Sequence, residues 1–143
     1  MKLLIVEDRQ HHTDSAKNFF AGKGVQVSFT KTMTGFLNAL MRDVYDGVLS
    51  DVFFPYDDDS YQDEVPAGVA VYFICQSKSL PCVLITSGFH HGKKYQWIHR
   101  LIRETGKVQT IVGHGNACTP EAEASEKNWA EAWGRIANAI TKK

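Results

Sequence analysis

The sequence predicts an α/β fold, a parallel sheet with helices packed against it. Two observations predict it. Short apolar runs of strand length alternate with amphipathic stretches of helix length along all 143 residues. Three of those runs also end in groups that carry chemistry. Lys2-Leu3-Leu4-Ile5-Val6 ends in Glu7-Asp8, Asp46-Gly47-Val48-Leu49-Ser50 ends in Asp51, and Val83-Leu84-Ile85 ends in Thr86-Ser87. The carboxyl ends of strands are where open α/β sheets place their sites. Carboxylates offered in this way bind a metal, accept a phosphoryl group, or do both.

The elements follow in order. The first strand spans about residues 2–6, and a helix near 12–22 turns Ala16, Phe19 and Phe20 to one face, with Gly22 or Gly24 near its stop. Val25-Gln26-Val27-Ser28-Phe29 alternates and predicts a second strand. Thr32 or Thr34 caps a helix carrying Phe36, Leu37, Leu40 and Met41. The third strand ends at Asp51, and a loop runs from about Val52 to Pro66. A third helix, Ala67 to Gln76, buries Val69, Tyr72, Phe73 and Cys75. Pro81 opens a fourth strand over 82–86, and Tyr95 to Glu104 forms a helix with Trp97, Ile98, Leu101 and Ile102 inward. Val108 to Val112 is a fifth strand. Thr119-Pro120-Glu121 reads as the start of the last helix, which buries Trp129, Trp133, Ile136 and Ile140.

Five strands and five helices in strict alternation predict a flavodoxin-like doubly wound sheet of order 2-1-3-4-5. In that order strands one and three are neighbours, and Glu7, Asp8 and Asp51 converge. The length suits one domain over residues 1–143, with no separate output domain.

Composition narrows the function. Sixteen basic and sixteen acidic residues cancel, which gives no electrostatic case for nucleic acid or an anionic membrane as a partner. No apolar stretch is long enough to span a bilayer, and the N-terminal run is too short and too acidic for a signal peptide. Cys75, Cys82 and Cys118 show no CxxC spacing, so free thiols in a reducing cytoplasm are expected.

The chain resembles the receiver domain of two-component response regulators. The resemblance rests on Leu3 to Asp8, Asp46 to Asp51 with Pro55, Gly68 opening the third helix, and Pro81 through Thr86-Ser87. It implies that Asp51 accepts a phosphoryl group from a histidine kinase or phosphotransfer protein. It also implies that Glu7, Asp8, Asp51 and the backbone carbonyl of Phe53 hold Mg²⁺, with the longer Glu7 acting through water. Thr86 becomes the switch hydroxyl. The domain is then a signalling module rather than an enzyme, and it meets a downstream protein through the face of helix four, strand five and helix five. The physical chemistry agrees: three close carboxylates repel one another, and a hard divalent cation relieves that conflict.

The chain departs from the family at strand five. A lysine stands at that strand's end in receivers, and here Gly113 or His114 occupies the place. His114 is a candidate substitute, with a loop histidine as the plainer alternative. The aromatic switch residue is also missing, Thr110 or Ile111 standing near its position. The loop after Asp51 carries Asp57-Asp58-Asp59 and Asp63-Glu64 but not an EF-hand pattern, since Gln62 and Gly68 stand where glycine and glutamate are needed. A solvated loop is the default there, with a lid or a partner-binding loop as the sharper alternative. His11-His12 and His90-His91 read as surface pairs, and Lys93-Lys94 as solvated.

Three functions are therefore weighed. The first is a stand-alone phosphoacceptor receiver. The second is a phosphorylation-independent pseudo-receiver, motivated by the missing lysine and aromatic. The third is a metal-dependent phosphoryl-transfer enzyme of Toprim type, which needs Asp-x-Asp where this chain has Phe53 in the third position.

Overall fold

The computed structural model describes residues 1–58, 65–86, 96–105, 111–112 and 127–142. Strands β1 (Lys2–Val6), β2 (Gln26–Thr30), β3 (Gly47–Ser50) and β4 (Cys82–Ile85) lie parallel in the order β2-β1-β3-β4. Ile111–Val112, here β5, pairs parallel beside β4. The first three residues of the strand expected over 108–112 lie outside the described residues. The helices are α1 (Gln10–Phe20), α2 (Met33–Arg42), α3 (Ala67–Ser77), α4 (Gln96–Thr105) and α5 (Trp129–Thr141).

Successive strand residues point to opposite faces of the sheet, and two cores result. Leu4, Val6, Val48 and Leu84 pack on one face against Phe36 of α2, Val71 and Tyr72 of α3, and Ile98 of α4. Leu3, Ile5, Leu49, Val83 and Ile85 pack on the other against Ala16 and Phe20 of α1 and Trp129, Ala132 and Ile136 of α5. β3 and β4 are buried along their whole length, and so is β1 apart from Lys2, as expected of strands covered on both sides. β2 stands at the edge and is only half covered.

The helix interiors correct several expectations. Leu40-Met41, Tyr72-Phe73 and Trp97-Ile98 were each expected to point inward as pairs. Adjacent helical residues diverge by about 100°, so one member of each pair turns outward. Met41 is 78% exposed, Phe73 40% and Trp97 49%, while Tyr72 and Ile98 are buried. His12, expected at the surface with His11, is buried instead. It stands four residues before Ala16 and eight before Phe20, on the stripe of α1 that faces the sheet.

Caps settle two helix starts. Thr32, not Thr34, caps α2, its hydroxyl accepting from the Gly35 amide at 3.0 Å. Thr34 instead donates to the Tyr56 carbonyl at 3.2 Å. The last helix does not run unbroken from Thr119-Pro120-Glu121, which lie outside the described residues. Lys127 and Asn128 are non-helical, and Asn128 caps α5 by accepting from the Glu131 amide at 3.0 Å. An asparagine followed three residues later by glutamate is itself a helix-start signal, and here it overrides any helix arriving from upstream.

The segment after β3 also differs from a solvated loop at its base. Val52, Phe53 and Phe54 are buried, and the Phe54 amide donates to the Val65 carbonyl at 3.3 Å. The Met33 and Thr34 amides donate to the carbonyls of Pro55 and Tyr56 at 3.2 and 2.9 Å. Both ends of the excursion are therefore held against α2 and α3. Asp59 to Glu64 lie outside the described residues.

Candidate functional site

The register of the sheet assembles the site. Val6 pairs with Ser50 across β1 and β3, and the Asp51 amide donates to the Val6 carbonyl at 2.9 Å. Glu7 and Asp51 therefore leave adjacent strands at the same level. One ligand oxygen from each of Glu7, Asp8 and Asp51 lies within 4.8 Å of the others. Glu7 and Asp51 are buried, and Asp8 is half-buried. Hard oxygen donors at this spacing suit a divalent cation such as Mg²⁺.

Gly68 shapes the other wall. It sits in the first turn of α3, and its amide donates to the Val52 carbonyl at 3.0 Å. A Cβ at this position would come within 2.7 Å of the Val52 Cα and would also collide with the Asp51 carbonyl oxygen. Only glycine lets α3 approach the Asp51–Val52 backbone this closely. On the strand side of this contact the Val52 amide donates to Asp51 Oδ1 at 2.7 Å.

The residue that the sequence reading missed is Lys127. Its side chain is fully buried, with its ammonium bonded to Glu7 Oε2 and 3.0 Å from Asp51 Oδ2. Each carboxylate thus has one oxygen held by backbone and the other by the lysine. The backbone partners are the Val52 amide on Asp51 Oδ1 and the Arg9 amide, 3.1 Å from Glu7 Oε1. Burial pushes Glu7 from its ordinary 4.5 up to about 7, with Lys127 pulling against this and Asp51 adding to it. Burial also works against the charge on Lys127, but Asp51 and Glu7 outweigh it and hold the ammonium's pKa above its ordinary value. The lysine is therefore charged at neutral pH.

The other predicted residues fall as follows. Thr86 is buried at the end of β4, one residue past Ile85, on the strand next to β3. Phe53 lies two residues beyond Asp51 with its side chain in the core. His114, His90-His91, Lys93-Lys94 and Cys118 lie outside the described residues. Cys75 and Cys82 are free and buried. Lys127 also borders a cavity of about 430 Å³ between α1 and the start of α5, lined by Ser15, Asn18, Phe19, Asn128 and Trp129. None of the described helices is long and apolar enough to cross a membrane.

No family model and no curated protein matches the sequence. Solved structures do match the fold. The non-phosphorylated HemR receiver domain from Leptospira biflexa is 16% identical with a TM-score of 0.62, over 97% of this chain and 93% of that one. This is a receiver fold. The receiver domain of a signal transduction histidine kinase from Syntrophus aciditrophicus matches at 13% identity and a TM-score of 0.62, over 99% of this chain and 90% of that one. NtrX from Brucella abortus matches at 16% and 0.61 over 99% of this chain, which spans 28% of its length. In this receiver fold the acidic trio sits at the carboxyl edge of the sheet, with a lysine reaching it from the segment before the last helix.

Proposed function

We propose that this chain is a receiver that accepts a phosphoryl group on Asp51 and signals by protein–protein contact. The observation that carries the reading is the placement of Asp51. It leaves a buried central strand beside Glu7 and Asp8, with Oδ1 held by the Val52 amide and Oδ2 facing an ammonium. A carboxylate fixed in this way is an oriented nucleophile.

Glu7, Asp8, Asp51 and the Phe53 carbonyl would hold Mg²⁺, which supplies charge neutralisation for the transferring phosphoryl oxygens. The chain's own part is orientation. Asp51 attacks phosphorus, an O–P bond forms, and the donor's bond to phosphorus breaks with its electron pair leaving on the donor. Thr86 supplies the switch hydroxyl at the end of β4. A histidine kinase or phosphotransfer protein is the donor, and a downstream protein reads the face of α4, β5 and α5. The domain occupies residues 1–143 as one five-stranded, five-helix unit in the cytoplasm and acts as a signalling module rather than an enzyme.

The pseudo-receiver reading drew on the missing strand-five lysine, and a buried ammonium on Asp51 weakens that ground. The Toprim reading lacks its second aspartate, because the buried Phe53 takes that position.

Acetyl phosphate with Mg²⁺, followed by intact mass spectrometry, tests the proposal. Wild type should gain the mass of one phosphoryl group and Asp51→Asn should not. Equal labelling of both proteins, or labelling of neither, defeats it.

A further inference from the structure

We infer that Cys75 and Cys82 are a site of oxidative modification, which a hydroperoxide converts to an intrachain disulfide clipping the end of α3 to the start of β4. The pair stands at the amino edge of the sheet, opposite Asp51. Cys82 opens β4 beside Val48, whereas Asp51 follows the far end of β3. Its chemistry is therefore separate from phosphoryl transfer. The two cysteines are seven residues apart, so their meeting depends on the turn between them.

Three observations carry the site. Both side chains are buried in one core, and the two thiols are hydrogen-bonded to each other. Backbone fixes this proximity. The Cys75 carbonyl accepts from the Lys78 amide at 3.1 Å and the Leu80 amide at 2.9 Å, and the Val48 amide donates to the Pro81 carbonyl at 2.9 Å. The turn between the cysteines is strained at one residue. Ser79 has a φ of +53°, in the left-handed region that a side chain disfavours. Opening of the last turn of α3 relieves that strain and exposes Cys75, while the sheet ladder holds Cys82.

Burial sets the order of events. The closed pair is unreactive: the hydrogen bond to Cys75, together with burial, pushes the Cys82 thiol well above its ordinary value and keeps it protonated. Once the turn opens, Cys75 ionises in water and its thiolate attacks hydrogen peroxide. An S–O bond forms, the O–O bond breaks, and hydroxide leaves with the electron pair. Reclosing brings the sulfenic acid onto Cys82. The Cys82 sulfur attacks it, an S–S bond forms, the S–O bond breaks and a second hydroxide leaves. The two thiol protons neutralise the two hydroxides. The thiols have then lost two electrons, the peroxide has gained them, and two waters result. The ring closed in this way holds eight residues and restricts the unfolded chain.

The test treats the full chain with hydrogen peroxide in native buffer and follows it by intact mass spectrometry and peptide mapping. Wild type should lose the mass of two hydrogen atoms and yield a peptide linked through Cys75 and Cys82, reversed by dithiothreitol. The oxidised protein should unfold at a higher urea concentration than the reduced one. Ser79→Gly suits the left-handed turn and holds it closed, so it should slow the oxidation roughly threefold. A linkage through Cys118 overturns the site. So does a sulfinic acid on Cys75 or Cys82 without the linkage, and so do three unmodified thiols after prolonged exposure. An oxidised protein that unfolds at lower urea than the reduced one overturns the clip. A Ser79→Gly protein that oxidises as fast as wild type, or faster, overturns the gating by the turn.

Discussion

The two faces of the sheet treat Asp51 differently. On the face of α2 and α3 the partners are backbone: the Val52 amide holds Oδ1, and Gly68 brings the first turn of α3 against the Asp51–Val52 peptide. The face covered by α5 supplies a side chain, Lys127, whose ammonium reaches Oδ2 from just ahead of that helix. Backbone contacts set by close packing are stiff and have one geometry. An ion pair on a four-carbon stem is strong when buried, yet it can change partners. One face therefore positions the carboxylate, and the other responds to its charge.

Three substitutions or conditions probe this contrast, in order of expected effect. Gly68→Ala drives a methyl group into the Asp51–Val52 backbone and should lower unfolding free energy by about 1–3 kcal/mol, read by urea denaturation. An unchanged midpoint would break the claim that the α3 face is the rigid one.

The next effect is a pH dependence arising at Glu7. Its folded-state pKa of about 7 lies above the ordinary 4.5, so folding favours the protonated form. That contribution to stability is fully present below about pH 4.5 and is lost as pH rises through about 7. In metal-free buffer, wild type should lose stability relative to Glu7→Gln across this window, at no more than about 1.4 kcal/mol per pH unit. Parallel curves for the two proteins would show that the charged face is less responsive than its geometry implies.

The smallest effect belongs to the cap. Asn128→Ala removes the acceptor for the Glu131 amide and should cost about 1 kcal/mol, measured by thermal or chemical denaturation. No loss would mean that the start of α5 is held by Lys127 and packing alone.

Much of this was legible in the sequence. Glu7, Asp8 and Asp51 were readable because strand ends in a parallel sheet share one edge, and neighbouring strands one and three bring them level. Gly68 was readable as a helix opening, though its close approach to Asp51 depends on tertiary packing. Which of two adjacent apolar residues faces inward was not readable at Leu40-Met41 or Trp97-Ile98, because both members look alike until the helix is rotated against a sheet. Lys127 was missed because the search stopped at strand five. A signal existed in Asn128 and Glu131, whose cap places the start of α5 at Trp129. Helices in such folds begin near the carboxyl edge of the sheet, so the residue before the cap had to lie near the site. The helix read as starting at Thr119-Pro120-Glu121 placed Lys127 inside its run and so concealed a cation that is buried at the site.

Trp129 follows the cap directly, two residues from Lys127, and among the described residues its buried indole Nε1 has no hydrogen-bond partner. An indole without a local partner takes its emission colour from the surrounding electric field. Trp129 is thus an intrinsic fluorophore two residues from the ion-paired lysine, and a change in charge at that pair should shift its share of the emission of the chain's three tryptophans.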